Sequence, residues 1–273
     1  MSAASEITRR ARSNLAFALN ILPKERRDDA VTFYAFCRTV DDLADDPELT
    51  LTQRRTALET WKSGLFHGFA SPSGLQQEIL ALRDRHDLPT DLLTAIIDGC
   101  LMDLEPQRFP TWDDLCQYIW QVAGAVGLVS IRLFGCTDPA SAHYAVVLGQ
   151  ALQLTNILRD INEDLGNGAR IYLPLADLAR FDYAERDLLA RTHDARFTAL
   201  MTHLADRAEG LFHEAAAGLP AADRTALLPA RIMATVYEAI LRKMRSDGFR
   251  VFEKRYRIST ARKLAILSKH LIA

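Results

Sequence analysis

The chain has 273 residues, with 33 Lys and Arg against 35 Asp and Glu, a formal charge of −2 and a hydrophobic content of 49%. This length supports one large domain with a substantial core, and the charged fraction of 25% combined with so many apolar residues excludes a disordered chain. The balanced charge also argues against a general nucleic-acid binder, because such proteins carry a clear cationic excess.

The cysteines and histidines show no metal-binding pattern. The four cysteines form no CxxC pair, and the seven histidines lack any metal-ligand spacing. We therefore expect free thiols and no zinc site in a cytoplasmic protein. No run reaches the roughly 18–20 apolar residues of a membrane span, and the apolar stretch 15–22 lacks the cleavage site of a secretory signal.

Apolar residues recur at three- and four-residue intervals along most of the chain, which is the spacing of helices buried on one face. Two candidate hairpin turns, Asp98-Gly99 and Asn167-Gly168, are not flanked by alternating strand-like sequence. We predict an all-α chain with a single domain over 1–273, in which residues 1–13 are flexible. The predicted helices cover 28–46, 51–66, 75–86, 90–104, 112–134, 140–165, 185–217 and 223–247.

The predicted helix 28–46 carries a stripe of functional side chains on one face. Tyr34, Arg38, Asp41 and Asp45 are separated by 4, 3 and 4 residues. Two carboxylates at i,i+4 repel each other, and Asp is a mediocre helix former. A solvated acidic surface is the plain alternative, but such a surface normally alternates the sign of its charges. The stripe therefore favours a functional site.

The predicted helix 112–134 contains Tyr118 and two glycines, Gly124 and Gly127. A glycine inside a helix costs roughly 1 kcal/mol relative to alanine, so each needs a reason. Close packing between helices is one reason, and room for a long hydrocarbon chain is another; the two are compatible. Tyr118 is either a buried core phenol or a hydroxyl and ring near a developing cation, which aromatic faces attract.

The predicted helix 140–165 carries a second stripe, in which Gln153, Asn156, Asp160 and Asp164 are separated by 3, 4 and 4 residues. Two such stripes facing each other would form a dense carboxylate cleft that only cations can make tolerable. Hard oxygen ligands without His or Cys suit Mg²⁺ or Mn²⁺ shared with a phosphorylated substrate. No glycine-rich nucleotide loop of the GxxxxGK[ST] type is present. The pattern therefore indicates a diphosphate leaving an apolar substrate inside a helical bundle.

The C-terminal segment is strongly basic, with ten Lys and Arg against two acidic residues between Arg242 and Lys269. An ordinary solvated helix end would explain this charge. The alternatives are closure over a diphosphate by Arg255 or Arg257 and a peripheral contact with anionic membrane lipid.

Three segments resemble the signatures of one family. They are Arg38-x-x-Asp41-Asp42-x-x-Asp45, Tyr118-x-x-x-Val122-Ala-Gly-x-Val-Gly127, and Leu148-Gly149-x-x-x-Gln153-x-x-Asn156-Ile-x-Arg159-Asp160-Ile-x-x-Asp164 followed by Arg170-x-Tyr172-x-Pro174. They closely resemble the motifs of squalene/phytoene synthases, and the resemblance extends from about Asn14 to Leu264.

The resemblance implies a class I isoprenoid synthase bundle with a central cavity. It also implies Mg²⁺-dependent head-to-head joining of two prenyl diphosphates, either farnesyl diphosphate to presqualene diphosphate or squalene, or geranylgeranyl diphosphate to phytoene. Such products lead to hopanoids or carotenoids, and only the final reduction to squalene would need NADPH. By matching position, the implied metal ligands are Asp41, Asp45, Asn156, Asp160 and Asp164.

The same resemblance implies roles for the remaining candidates. Tyr118 would guide proton or cation chemistry. Contacts to the diphosphate would come from Tyr34, Arg38, Gln153, Asn156, Tyr237 and Arg255.

Two other functions share parts of this pattern. A class I terpene cyclase or head-to-tail prenyl elongase would use the same metal chemistry, although the signatures around Tyr118 and from Gln153 to Pro174 argue against it. An inactive helical assembly factor could keep the fold, but it would be expected to have lost acidic ligands, and all four key aspartates are present.

Overall fold

The computed structural model describes residues 2–11 and 14–272, and helices form all the regular secondary structure of this part of the chain. The all-α prediction is therefore confirmed. The α-helices are α1 Ala3–Ala11, α2 Asn14–Leu19, α3 Lys24–Asp45, α4 Leu51–His67, α5 Gly74–Arg85, α6 Thr90–Met102, α7 Trp112–Ile119, α8 Ala125–Phe134, α9 Ala140–Gly166, α10 Leu175–Arg180, α11 Glu185–Leu189, α12 Ala195–Ala217, α13 Leu228–Ser246 and α14 Thr260–Ile272.

Most predicted helices begin and end within about one turn of the observed ones, but two predictions were wrong in extent. The predicted helix 185–217 is broken between α11 and α12, because the carboxylate of Asp194 accepts hydrogen bonds from the backbone N–H groups of Arg196 and Phe197 and starts a new helix. The predicted helix 223–247 begins only at Leu228, since Asp223 is held in a turn by the backbone N–H of Thr137.

The N-terminal segment that we expected to be flexible contains a helix. Residues 3–11 form α1, which lies against α3 and α5. Met1, Arg12 and Ser13 are outside the described residues, and the mobility of the segment stays a prediction.

The longest helix, α9, has 27 residues and is the centre of the bundle, in contact with α8, α12 and α13. Its buried side chains join those of α12 and α13 in one apolar cluster, while α3, α4, α5, α6 and α8 contribute to a second cluster. A cavity lies between these helices. No helix among the described residues has both the length and the apolar character needed to cross a bilayer.

The glycines of the predicted helix 112–134 lie where α7 passes into α8 through a π-helical turn, Trp120–Gly124. A Cβ added at Gly127 would lie 2.8 Å from the carbonyl oxygen of Ala145, and one added at Gly149 would lie 2.9 Å from that of Ala123. These contacts show that α8 and α9 pack backbone against backbone. Gly127 and Gly149 also line the cavity, so close packing and space for a ligand occur together.

Candidate active site

The cavity has a volume of about 440 Å³ and is bordered by α2, α3, α6, α8, α9 and α13. Most of its wall is apolar, with side chains such as Phe33, Leu133, Phe134 and Met233. The polar lining comes mainly from the second halves of α3 and α9 and the end of α6, so it gathers toward one end. The polar and aromatic lining residues include Asn14, Tyr34, Arg38, Asp41, Asp103, Tyr118, Gln153, Asn156 and Tyr237.

On α3, the predicted stripe faces this polar end. Asp41 lines the cavity and lies 3.2 Å from a guanidinium nitrogen of Arg38, which also pairs with Asp42. The Asp41 carboxyl is open to solvent but recessed among protein atoms. This restricted hydration, opposed by Arg38 and reinforced by the nearby Asp45, Asp42 and Asp103 charges, raises its pKa to about 6. A cation beside Asp41 would restore its ionised form.

Asp45, one turn further along α3, is held by residues that follow α9. Its carboxylate lies 2.8 Å from Arg170 and accepts a hydrogen bond of 3.3 Å from Asn167. Arg170 also donates to the backbone carbonyl of Asp103, at 2.7 Å. These contacts tie the end of the α3 stripe to the end of the α9 stripe.

On α9, Gln153 and Asn156 line the cavity, with the Asn156 amide donating to Gln153 at 3.3 Å. Asp160 lies outside the cavity lining and is paired with two arginines, Arg159 on the same helix and Arg255 from the segment before α14. Two guanidinium groups therefore hold one carboxylate of the predicted metal-binding stripe.

Asp164 has no such cationic pair among the residues that the structure describes. Burial, followed by the charge of Asp160, raises its pKa to about 8, and Arg170 only partly offsets this effect. The carboxyl is therefore largely protonated at neutral pH unless a cation lies beside it.

Tyr237 and Arg255 lie at different places around the polar end. Tyr237 on α13 lines the cavity and lies beside Arg159, whereas Arg255 makes two hydrogen bonds to Asp160, of 3.0 and 3.1 Å. Arg255 also pairs with Glu163 at 2.9 Å. The structure thus brings both residues near the α9 stripe, with Arg255 on a carboxylate.

A cluster around Asp103 was missed by the sequence reasoning. Its carboxylate accepts hydrogen bonds from the hydroxyls of Tyr118, at 2.8 Å, and Tyr172, at 2.6 Å, and burial raises its pKa. The two phenol rings are stacked, with centroids 5.2 Å apart. Asp103 follows the last residue of α6 and belongs to no periodic stripe, so only its place in the fold reveals it.

Two thiols border the same cavity. Cys37 on α3 and Cys100 on α6 are lining residues, and burial raises the pKa of each thiol well above its usual range. Both are free, as are Cys116 and Cys136, and the prediction of unpaired cysteines is confirmed. Protonated thiols are weak nucleophiles, so the cavity wall presents no reactive thiolate.

The polar end fits a hard divalent cation. The amide oxygen of Asn156 is buried without a hydrogen-bond partner, and Asp41 and Asp164 have raised pKa values that a cation would reverse. No group of three His, Cys, Asp or Glu side chains in the described ranges is close enough to enclose a metal. Mg²⁺ does not require such a cage, because it keeps waters and shares its ligands with substrate phosphates.

Known proteins resemble this chain over most of its length. Residues 8–262 match the model of the squalene/phytoene synthase family. A 15-cis-phytoene synthase from Synechocystis sp. is 34% identical over 261 residues, which cover 90% of this chain and 77% of that protein. A presqualene diphosphate synthase from Zymomonas mobilis is 35% identical over 257 residues, covering 93% of this chain and 87% of that protein.

Solved structures show the same architecture. A squalene synthase from Alicyclobacillus acidocaldarius has a TM-score of 0.79 at 29% identity, covering 90% of this chain and 93% of that chain. A dehydrosqualene synthase solved in complex with a ligand has a TM-score of 0.81 at 29% identity, covering 98% and 94%. The family model and these relatives together show that the chain belongs to the squalene/phytoene synthase family and is a prenyltransferase of that type.

Proposed function

We propose that this chain joins two molecules of an allylic prenyl diphosphate head to head and releases diphosphate. The substrate is farnesyl diphosphate, giving presqualene diphosphate or squalene, or geranylgeranyl diphosphate, giving phytoene. The relatives named above make such products, and none of them is a cyclase, a head-to-tail elongase or an inactive factor. The observation that carries the proposal is an apolar cavity lined at one end by Asp41 and Asn156 from two acidic stripes.

Members of this family bind diphosphate through divalent metal ions. For this chain we propose Mg²⁺, replaceable by Mn²⁺, with ligands from both stripes: Asp41, Asp45, Asn156, Asp160 and Asp164. When bound, the metal neutralises the negative charge that develops on the departing diphosphate. Arg38, Tyr34, Gln153, Tyr237 and Arg255 are proposed to contact the diphosphate.

Arg255 has a particular place in this proposal. In the free protein its guanidinium forms two hydrogen bonds with Asp160. A diphosphate is a stronger partner for a guanidinium than a single carboxylate, because it offers more charge and more acceptor oxygens. Arg255 can therefore pass from Asp160 to the diphosphate, leaving the carboxylate for the metal.

The Tyr118 phenol is suited to hold or pass a proton beside the reacting carbons. It is 3% exposed, lines the cavity and donates a hydrogen bond to the carboxylate of Asp103, which also accepts one from the hydroxyl of Tyr172. The ring face stabilises a nearby cation. The apolar wall excludes water, which would otherwise capture the carbocation as an alcohol.

The direct test uses the purified chain with farnesyl or geranylgeranyl diphosphate, each with and without Mg²⁺ and with and without NADPH. We expect diphosphate release that requires the metal, and mass spectrometry of the extract identifies the C30 or C40 product. A product that requires isopentenyl diphosphate, or a cyclised monomer, would favour the elongase or cyclase. No diphosphate from either substrate would refute the proposal. The NADPH arms decide whether squalene is the end product.

A further inference from the structure

Two large apolar side chains of the last helix, α14, are exposed. Leu271 is 61% exposed and Leu264 is 50% exposed, the two highest values among the large apolar residues that the structure describes. Each leaves apolar surface in water on a helix of 13 residues, where burial would be favourable.

The exposed apolar and small side chains of α14 form one stripe. Ala261, Leu264, Ala265, Ser268 and Leu271 lie within an arc of about 120° at helical spacing, and all five are exposed. We call this set the α14 stripe.

The opposite face of α14 is attached to the protein. Ile266 is 6% exposed, and Leu267 packs against the core. His270 lies 2.8 Å from the hydroxyl of Thr235 on α13. The helix is therefore held on the bundle by one face, while no element of the described residues covers the α14 stripe.

The charge around the stripe has one sign. The twenty residues 254–273 contain six Lys and Arg and no Asp or Glu. Two cations of this C-terminal region are neutralised by acidic residues outside 254–273, Arg245 by Asp206 and Lys254 by Asp247. In the described part of the chain, no ion pair is present for Arg257, Arg262, Lys263 or Lys269.

Arg262 and Lys269 lie together along one edge of the stripe, at about 100° and 80° from Ala261 on the helix. Arg224 and Arg231 add positive charge near the buried face, where they act on His270. A cationic edge beside an exposed apolar stripe is the arrangement of a helix that lies in a headgroup region with its apolar side toward the acyl chains.

We propose that α14 is a docking surface for a bilayer of anionic phospholipid. Leu264 and Leu271 enter the interface, and Arg262 and Lys269 pair with lipid phosphates. The charge favours a lipid surface over an apolar protein partner, because an extended anionic plane satisfies Arg262 and Lys269 at the same time. The proposal does not depend on the catalytic assignment, since docking is measured without substrate.

The test is cosedimentation of the full chain with phosphatidylcholine vesicles that contain none or about 30 mol % phosphatidylglycerol. We expect binding only to the anionic vesicles, weakened by high salt. Replacing both leucines with glutamate (Leu264→Glu, Leu271→Glu) should lower the partition coefficient at least about tenfold. The matched control is Leu51→Glu, which changes a leucine that is 42% exposed on α4.

The cations are tested by a second pair, Arg262→Gln with Lys269→Gln. Each cation near an anionic surface contributes about a fivefold factor in binding, so we expect a loss of about 25-fold, against no loss for the exposed control Arg186→Gln. Unchanged circular dichroism and melting show that the variants are folded. The proposal is overturned if wild type binds no vesicles, if binding ignores lipid charge, or if the α14 variants bind like the controls. It is also overturned if the leucine variants convert a dimer to a monomer, which would identify a second copy as the partner.

Discussion

Asp41 and Asp42 are neighbours on α3 that share one arginine but differ in their surroundings. Both side chains are more than half exposed and both pair with Arg38, yet only Asp41 lines the cavity. Comparing variants of these two residues therefore distinguishes a carboxylate that acts in the site from one that only adds surface charge.

We expect Asp41→Ala to lower kcat/KM at least about 100-fold, since it removes a proposed metal ligand at the diphosphate. Asp42→Ala should stay within a few-fold of wild type. Steady-state kinetics with the active substrate measures both, and far-UV circular dichroism should not change for either. Asp160→Ala should also abolish turnover without a change in helicity. Full activity of Asp41→Ala would remove that carboxylate from the proposed ligand set.

Tyr118 and Tyr172 form a second matched pair, because both are buried and both donate to Asp103. Only Tyr118 lines the cavity. Each Tyr→Phe change should cost about 1 kcal/mol of stability through the lost hydrogen bond. Turnover should fall about 100-fold for Tyr118→Phe, because proton and cation chemistry needs the hydroxyl at the reacting carbons, and far less for Tyr172→Phe. Equal losses of turnover would assign the effect to Asp103 instead.

At the scale of an element, the transition from α7 to α8 shows how a local irregularity serves the cavity. The π-helical turn places Val122 and Ala123 in the lining, next to Tyr118. Gly127 on α8 and Gly149 on α9 then allow the backbones of the packed helical segments to approach each other closely. Such turns inside α-helices are frequent at functional sites.

Gly127→Ala and Gly149→Ala should each destabilise the protein by about 1–3 kcal/mol, because the new Cβ meets a backbone oxygen that cannot move aside alone. The control is Gly210→Ala on α12, where nothing lies within 4 Å of the added carbon. That change should stabilise the fold by about 0.5–1 kcal/mol, since alanine favours helix. Chemical denaturation measures all three. Unchanged stability of Gly149→Ala would mean that α8 and α9 can move apart without a loss of free energy of unfolding.

The elements also show what a sequence pattern can predict. Periodicity identified the long helices and placed both acidic stripes on α3 and α9, because side chains three and four residues apart must share a face. Periodicity missed the break between α11 and α12. The apolar pattern continues across this break, but the carboxylate of Asp194 caps a new helix there. It also missed Asp103, whose two phenol partners lie 15 and 69 residues away in the chain. Contacts of that kind follow from tertiary packing and have no local signal.

At the scale of the whole molecule, repulsion between the carboxylates of the acidic stripes destabilises the metal-free fold. Arg38, Arg170 and Arg255 each neutralise a carboxylate of a stripe, but Asp164 is left beside Asp160 with a pKa raised to about 8. The uncompensated carboxyl therefore binds a proton more readily than an ordinary aspartate does. Metal binding and protonation are therefore alternatives at this position, and metal affinity should rise with pH.

The protonation of Asp164 also makes the stability of the metal-free protein depend on pH. The folded state holds a proton on Asp164 up to about pH 8, whereas the unfolded chain loses it near the ordinary pKa of about 3.9. Because the folded state binds more protons, its stability falls as pH rises through this window. In Asp164→Asn no proton can be lost, so the difference in free energy of unfolding between variant and wild type should grow by about 3–4 kcal/mol from pH 5 to pH 8. Urea denaturation in a metal chelator measures this difference. A difference that is independent of pH would mean that Asp164 is ionised in the free protein and is already paired with a cation.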